Sequence, residues 1–277
     1  MMWMDASAFW KYMGLRTEMV AMATSPKQGG GAQAVDRAFE ILESIEAAGG
    51  SLALTEVAEI TGLTLPTIHR LIRALAARGY IRQLPSRKYA LGPTLIRLGE
   101  SATQLIGTWS RPHLADVVQA TGETANMAVL DGTMAVYVAK VPSAHAMRIF
   151  TKVGRRVYLH STGVGKALLA QLPDTQVRSI VSKAGMPRQT PHTLVDPDDL
   201  ITDLNVIRQR GYAIDEAEQE IGVRCFAVQV PQAPTPTAIS VSGPAARVTP
   251  ESADRIVPLL TRVAKELSTE FDTRAAL

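Results

Sequence analysis

Residues 55–91, TEVAEITGLTLPTIHRLIRALAARGYIRQLPSRKYAL, decide the fold of the first part of this chain. They predict two short helices joined by a tight turn and followed by a small β-hairpin. Thr55 can cap the first helix, because its hydroxyl can accept a hydrogen bond from an early backbone N–H. Gly62 supplies the backbone freedom that ends this helix. Thr64 can cap the second helix, and Pro66 falls in its first turn, where a missing N–H costs little.

The second helix, about residues 65–77, is predicted to be amphipathic. Its apolar residues recur at helical spacing and form one stripe: Ile68, Leu71, Ile72 and Leu75. The other face carries hydrogen-bond donors and no carboxylates: Thr67, His69, Arg70 and Arg73. From Leu65 to Pro93 the chain contains arginines and a lysine but no Asp or Glu. A run of positive charges without negative charges on a compact motif favours binding to a polyphosphate.

The hairpin is predicted from residues 80–84 and 88–91, with a turn at Pro85-Ser86. Arg87 and Lys88 fall at its tip, where they can meet a phosphate backbone. A helix of the predicted length fits the major groove of duplex DNA. The alternative is a winged helix used for protein contacts, whose arginines form a solvated face.

The composition of the chain limits the class of protein to which it can belong. A chain of 277 residues, 46% of them hydrophobic, can bury one sizeable core and a smaller one. The net charge is only +3, so the local charge run rather than the global charge points to nucleic acid. The single cysteine, Cys225, excludes an intrachain disulfide and fits a reducing cytoplasm. No apolar run reaches the roughly 18 residues that span a bilayer, so no membrane association is expected.

The chain divides into four predicted parts. Residues 1–31 are expected to form a disordered leader that is not a signal peptide, within which Met19 or Met22 could be the true start. The others are a winged helix-turn-helix domain at 32–93, a linker helix at 94–109 and an α+β domain at 110–273. The apolar face of the linker helix is expected to pack either on a second protomer or on the second domain of the same chain.

The last part mixes helices and strands. Apolar runs at residues 123–130 and 133–141 flank Asp131-Gly132, a strong hairpin signal. A further strand is predicted at residues 146–150. A closing helix is predicted at 249–271, which Pro258 should kink or break. The mixture predicts one α+β domain in which helices pack on an antiparallel sheet.

Three pieces of this domain suggest chemistry. Residues 160–167, HSTGVGKA, lack the first glycine of a phosphate loop; they predict an anion-attracting helix start or a plain cap by Thr162. Residues 212–227 form an acidic loop that enters a strand bearing Cys225. Ser240 and Ser242 share one face of a strand, where they face either a bound polar ligand or solvent.

Taken together, these pieces resemble the IclR family of bacterial transcription regulators over residues 32–272. The resemblance implies a winged helix-turn-helix domain, a GAF-like effector-binding domain, and a homodimer or tetramer that binds double-stranded operator DNA. It also implies a small organic acid or aromatic effector in a cup lined by Ile149, Gly163, Val164, Asp215, Cys225, Ser240 and Ser242. Asp215 would hydrogen-bond a ligand hydroxyl or a protonated partner, and Cys225 would be a small apolar wall. The serines and the Gly163-Val164 backbone would hold a carboxylate.

The predicted DNA contacts are Thr67, His69, Arg70, Arg73, Arg87 and Lys88. The competing hypothesis is a cysteine-dependent hydrolase of a small carboxylate or amide that uses Cys225, His160 and Asp215. Cys225 lies in an apolar strand rather than at a helix N-terminus, which argues against an activated thiol. No cofactor and no metal site are predicted. Effector identity, operator sequence, and the choice between repressor and activator stay open.

Overall fold

The computed structural model describes residues 30–106, 108–149 and 151–275. These residues form two compact units divided between Glu100 and Ser101. The fold class is α+β, as predicted. Almost all of the predicted leader lies outside the described residues, and the first described residues, from Gly30 on, already belong to a helix.

The first unit is a three-helix motif with a small sheet. Its helices are α1 (Gly30–Ala47), α2 (Leu54–Thr61) and α3 (Leu65–Ala77), and its strands are β1 (Ser51–Leu52), β2 (Ile81–Gln83) and β3 (Tyr89–Leu91). The strands pair in the antiparallel order β1-β3-β2. One face of α3 packs with α1 and α2 around a core that contains Ile41, Ile45, Val57, Ile68 and Ile72. This is the predicted winged helix-turn-helix.

The caps of α2 and α3 differ in part from the prediction. Thr55 does not cap α2, because the N-cap position is two residues earlier, at Ala53, whose N–H donates to the Glu56 carboxylate at 2.6 Å. Gly62 ends α2 in the left-handed conformation, with φ of 66°, as predicted. Thr64 occupies the N-cap position of α3, but its hydroxyl lies 3.0 Å from the Thr67 hydroxyl instead of bonding a backbone N–H.

Helix α4 (Thr94–Ile106) follows the hairpin, and the division between the two units falls within it. Ile96 and Leu98 are exposed on its surface. A short 3-10 turn, Thr108–Ser110, then leads into the second unit.

The second unit is built on a six-stranded antiparallel sheet. Its strands are β4 (Thr124–Asp131), β5 (Met134–Val141), β6 (Arg156–Val157), β7 (Ala213–Glu216), β8 (Val223–Val230) and β9 (Thr237–Pro244), in the order β6-β5-β4-β9-β8-β7. Its helices are α5 (Arg111–Thr121), α6 (Gly163–Leu169), α7 (Asp174–Ala184), α8 (Pro197–Arg210) and α9 (Ala253–Ala275). The Asp131-Gly132 hairpin joins β4 to β5 as predicted.

Helices cover both faces of this sheet, and each face has its own core. On the outer face, Leu114 of α5 and Leu260 of α9 pack against sheet residues such as Phe226. On the inner face, Leu168 of α6 and Leu204 of α8 pack above small sheet residues, including Ala128, Ala213, Ala227 and Ala238. The small residues leave room for α6 to approach the sheet closely.

One prediction for the second unit is wrong. Residues 146–149 form no strand, because β5 pairs with β6 and leaves the intervening chain as a connection. Arg247 holds part of this connection by donating to the Met147 carbonyl at 3.0 Å. Of the two alternatives predicted for Pro258, a kink or a break, the break does not occur, because Pro258 lies inside one continuous helix. Ile256 and Leu260 on either side of it are both buried. Within the described part of the chain, no helix is both long and apolar enough to cross a membrane.

Candidate functional site

Helix α3 separates an apolar face from a cationic one, as predicted. Its apolar stripe is buried at Ile68, Leu71 and Ile72. On the other side the side chains of His69, Arg70 and Arg73 are exposed, while Thr67 is half-buried. These three exposed side chains line a shallow open concavity together with Pro66, Ala74 and Ala77. This face can therefore meet a large anionic partner without any change in the core.

The hairpin tip presents its two cations differently. Arg87 is exposed in the left-handed conformation, with φ of 62°, and its N–H donates to the Leu84 carbonyl at 2.9 Å. Lys88 is half-buried, and its ammonium lies 3.4 Å from the Glu56 carboxylate. The N–H of Ala53, together with the ammonium of Lys88, holds the pKa of Glu56 below its ordinary value, and burial opposes this effect. A phosphate at Lys88 would have to compete with this ion pair, whereas Arg87 meets no such competitor in these contacts.

In the second unit, cross-strand pairing brings distant residues into one row on the inner face. Asp215 of β7 lies opposite Cys225 of β8, which lies opposite Ser242 of β9. Directly opposed residues of antiparallel strands point to the same side of a sheet. All three side chains are buried. The chain positions are far apart in sequence, so only the sheet assembles this row.

The start of α6 covers the row. Gly163, the first residue of α6, lies so close to β8 that a Cβ there would be 2.8 Å from the Cys225 sulfur. Thr162 is the N-cap, since its hydroxyl accepts from the Gly165 N–H at 3.1 Å. The predicted cup residues Gly163 and Val164 thus lie buried above Cys225 and its neighbours. Ile149, also predicted, is half-buried in the connection between β5 and β6.

Asp215 is held in an unusual electrostatic state. Its Oδ1 accepts from the backbone N–H groups of Glu218, at 2.8 Å, and Gln219, at 3.3 Å. Burial raises the pKa of Asp215 to about 7, the Glu218 charge adds to this effect, and the two hydrogen bonds and Lys166 oppose it. The carboxyl group is therefore partly protonated near neutral pH, and it can either donate to or accept from a ligand.

Lys166 is a buried residue that our sequence interpretation did not assign. Its ammonium lies 2.5 Å from Glu218 and 2.8 Å from Asp203. Burial alone would lower the pKa of Lys166, but the two carboxylates raise it above its ordinary value. The lysine of the HSTGVGKA segment thus ties α6 to the acidic loop at residues 216–222 instead of binding phosphate. The excess of acids in that loop was the sequence signal for a buried cationic partner.

Tyr137 of β5 faces the same cluster and was also missed. Burial and the nearby Cys225 and Asp215 raise the pKa of its phenol, while Arg155 opposes them. The phenol therefore stays protonated and can donate a hydrogen bond. Tyr137 lies on a strand outside the three motifs that the sequence pattern singled out, so nothing in the pattern connected it to them.

The contacts do not assemble a thiol-based hydrolase. Burial and the Asp215 charge raise the pKa of Cys225 to about 12, with small opposing effects of Ser242 and Ser240, so its nucleophilic thiolate is not populated at neutral pH. His160 Nε2 lies 3.2 Å from the Pro187 carbonyl, and its ring packs edge-on to Tyr158. Asp215 bonds the acidic loop rather than His160. The hydrolase alternative has no support in these described contacts.

Two family models match the chain. The model for the C-terminal part of the bacterial transcriptional regulator IclR matches residues 102–269, and the IclR helix-turn-helix model matches residues 34–85. The chain belongs to the IclR family. The first match includes every predicted cup residue, and the second includes α3, so the IclR architecture accounts for both units. The family consists of transcriptional regulators, which are not enzymes.

Individual IclR relatives are similar over most of their length. The transcriptional repressor IclR of Escherichia coli (strain K12) is 35% identical over 91% of this chain and 94% of the relative. The crystal structure of the Thermotoga maritima IclR has a TM-score of 0.70 and 28% identity, over 87% of this chain and 99% of that chain. An IclR homolog from Microbacterium hydrocarbonoxydans, crystallised with 4-hydroxybenzoate, shares the fold with a TM-score of 0.74 at 21% identity, over 87% and 99% of the chains.

Proposed function

We propose that this IclR-family protein binds operator DNA through α3 and changes its operator affinity when a small organic acid or aromatic acid binds on the inner face of the sheet. The split of α3 into a buried apolar face and an exposed cationic face carries the DNA-binding part. Residues 32–93 serve as the DNA-binding part, 94–109 as the linker and 110–273 as the effector-binding part. Relatives named as repressors favour repression as the mode of action.

The DNA contacts divide by chemistry. Thr67, His69, Arg70 and Arg73 on α3 face the major groove, where arginine can bond guanine and the other donors meet bases or phosphates. Arg87 contacts a phosphate from the wing, and Lys88 does so when it leaves Glu56. One such domain covers only a half-site, so the protein acts as a homodimer or homotetramer in the cytoplasm.

The effector is held by buried donors. Ser240, Ser242 and the backbone at Gly163-Val164 contact a carboxylate, and Asp215 bonds a hydroxyl or a second polar group of the effector. Cys225 and Ile149 supply apolar walls. The Ser240 hydroxyl supports this assignment, because it is fully buried and makes no hydrogen bond of normal geometry to any described residue. Such a group is costly to bury unless a ligand or water satisfies it.

The two units communicate through the linker. An effector can change operator affinity only if it binds more tightly to one arrangement of the DNA-binding parts than to another. Helix α4 is the segment through which such a change must pass, since it contains the division between the units.

The DNA-binding part is tested by Arg70→Ala. The variant should lose about 5- to 150-fold in affinity for DNA from upstream of its own gene, because a bidentate arginine contact is worth about 1–3 kcal/mol. Gel-shift and fluorescence-anisotropy titrations at fixed salt measure the loss.

The matched control is Arg262→Ala, which removes an exposed arginine from α9. It should leave operator affinity unchanged, and both variants should keep their affinity for 4-hydroxybenzoate or another bound acid. Operator binding by Arg70→Ala at the level of the unmodified protein would refute the placement of α3 in the groove.

A further inference from the structure

The first turn of α3 presents apolar side chains to solvent. Leu65 is the first residue of the helix and is 44% exposed, and its neighbour Pro66 is exposed as well. Leu63, two residues earlier, packs on the core of the first unit instead. Leu65 therefore contributes little to that core, and its side chain is available to a partner.

Leu65 and Pro66 each begin a row of exposed side chains on α3. Residues four positions apart lie on the same side of a helix. Leu65 is followed in this way by His69 and Arg73, and Pro66 is followed by Arg70; all of these residues are exposed. The concavity on this face is lined by Pro66 and by both arginines. The apolar end of the helix is therefore continuous with its cationic face.

Hydrogen-bond donors are scarce at this end of α3. The hydroxyl oxygens of Thr64 and Thr67 lie 3.0 Å apart, so that one hydroxyl donates to the other and a single O–H of the pair is left to donate outward. Pro66 has no backbone N–H to contribute. The first turn is therefore suited to an apolar contact, whereas His69, Arg70 and Arg73 farther along the helix supply the donors.

The major groove of DNA narrows the choice of partner for such a turn. The base edges there carry hydrogen-bond donors and acceptors and one apolar group, the C5 methyl of thymine. The residues of a recognition helix that reach base edges are those at its N-terminal end. An apolar side chain placed over a donor or an acceptor would desolvate that group without giving it a partner, which is unfavourable. Leu65 therefore fits a thymine better than it fits any other base.

We infer that Leu65, with Pro66 beside it, contacts the C5 methyl of one thymine in each operator half-site. The guanine bound by Arg70 lies close to this thymine. Four residues of a helix span about 6 Å along its axis, and successive base pairs lie roughly 3.4 Å apart, so the two bases are separated by no more than about two base pairs. This inference rests on the proposed placement of α3 in the major groove and adds a second base to what the helix reads.

Uracil tests this inference, because it keeps the hydrogen-bonding groups of thymine and lacks only the C5 methyl. The DNA fragment upstream of the protein's own gene is amplified once with dTTP and once with dUTP, and fluorescence-anisotropy titrations at fixed salt give the affinity of the full-length protein for each product. The unmodified protein should bind the thymine fragment at least about fourfold more tightly, the contribution of one buried methyl group.

Leu65→Ala should lower this ratio of affinities to less than about twofold, because the methyl group then loses its apolar partner. Leu65→Met keeps an apolar side chain and should retain most of the ratio. The matched control is Ile60→Ala, which truncates an apolar side chain that is 40% exposed on α2 and should leave the ratio unchanged. Circular dichroism checks that all three variants fold.

Synthetic duplexes then place the contact on the DNA. Replacing one thymine at a time by uracil locates the thymine that Leu65 contacts, and the effect at that position should vanish in Leu65→Ala. Replacing one guanine at a time by 7-deazaguanine, which lacks the N7 acceptor, locates the guanine whose effect vanishes in Arg70→Ala. The two positions should lie within about two base pairs of each other.

The outcomes separate this inference from the proposed function. If the unmodified protein binds the two fragments equally, or if Leu65→Ala keeps the full ratio, the inference is wrong, while operator binding that is weakened by Arg70→Ala still supports the proposed function. If the unmodified protein binds neither fragment at low salt, the DNA-binding part of the proposed function fails and the inference fails with it.

Discussion

At the scale of single residues, the inner face of the sheet is notable for polar groups whose ordinary chemistry is changed by burial. The pKa of Asp215 rises to about 7 and that of Cys225 to about 12, in both cases mainly because of burial. The thiol therefore acts as a small apolar wall. The carboxyl group, in contrast, changes charge within the physiological range, so the site is sensitive to pH.

Asp215 should make the stability of the second unit fall as pH rises. Its pKa is about 7 in the folded protein against an ordinary value of 3.8, so between these values the folded state binds more protons than the unfolded state. Stability is therefore lost as pH rises through this window. Asp215→Asn stays neutral and keeps an oxygen that can accept from Glu218 and Gln219. The variant should be more stable than the unmodified protein at pH 8, by about 2–4 kcal/mol, and similar to it at pH 4.

Urea unfolding at a series of pH values measures this difference. The control is Asp116→Asn, which makes the same chemical change on the exposed side of α5. A stability difference between Asp215→Asn and the unmodified protein that does not change with pH would show that Asp215 is ionised throughout.

At the scale of elements, the second unit depends on the close approach of α6 to β8. Gly163 makes this approach possible, and Lys166 on the same helix binds Glu218 in the acidic loop. Thr190 and Thr193 hold that loop from the other side, through the carbonyls of Ala217 and Glu218. One short helix thus covers the proposed effector site and positions the loop that orients Asp215.

Gly163→Ala should destabilise the protein by about 1–3 kcal/mol, because the new Cβ would lie 2.8 Å from the Cys225 sulfur. In a Cys225→Ala background the same substitution should cost much less, since the sulfur is gone and the nearest remaining atoms are 3.4 Å away or more. Thermal and urea unfolding of the four proteins in this double-mutant cycle give the coupling energy. Equal costs in the two backgrounds would mean that α6 moves away from β8 without resistance.

At the scale of the whole molecule, a regulator must couple two separate units. The proposed DNA-binding face lies in the first unit and the proposed effector site in the second. Each unit has its own hydrophobic core. Coupling is then a difference in free energy between arrangements rather than a change in either fold.

This coupling should be reciprocal. If the bound acid changes operator affinity by some factor, typically about 5–150-fold, then operator DNA must change acid affinity by the same factor. Anisotropy titrations of DNA with and without acid, and calorimetric titrations of acid with and without DNA, give the two factors independently. Arg70→Ala should not bind operator DNA tightly. Even in the presence of that DNA, the variant should therefore bind acid with the affinity of the DNA-free protein. Unequal factors would mean that acid and DNA act on different populations of the protein.

The elements that the sequence predicted well are those fixed by local signals. Helix α3 and the Asp131-Gly132 hairpin lie where periodicity and turn residues placed them. Residues 146–149 were wrongly assigned to a strand. The strand that pairs with β5 on that side is β6, and this pairing joins residues that are far apart in the chain.

The sequence by itself determined the two-part architecture and the cationic face of α3, because helical period and charge are local properties, whereas the residues of the proposed cup came from the resemblance to the IclR family. Only the tertiary structure decided that Lys166 binds Glu218, that Lys88 is paired with Glu56, and that Asn126 lies opposite both Ser240 and Lys140. The physical reason is that cross-strand register and burial depend on how separate segments pack. No pattern within one segment specifies which side chain of another segment lies opposite a given residue.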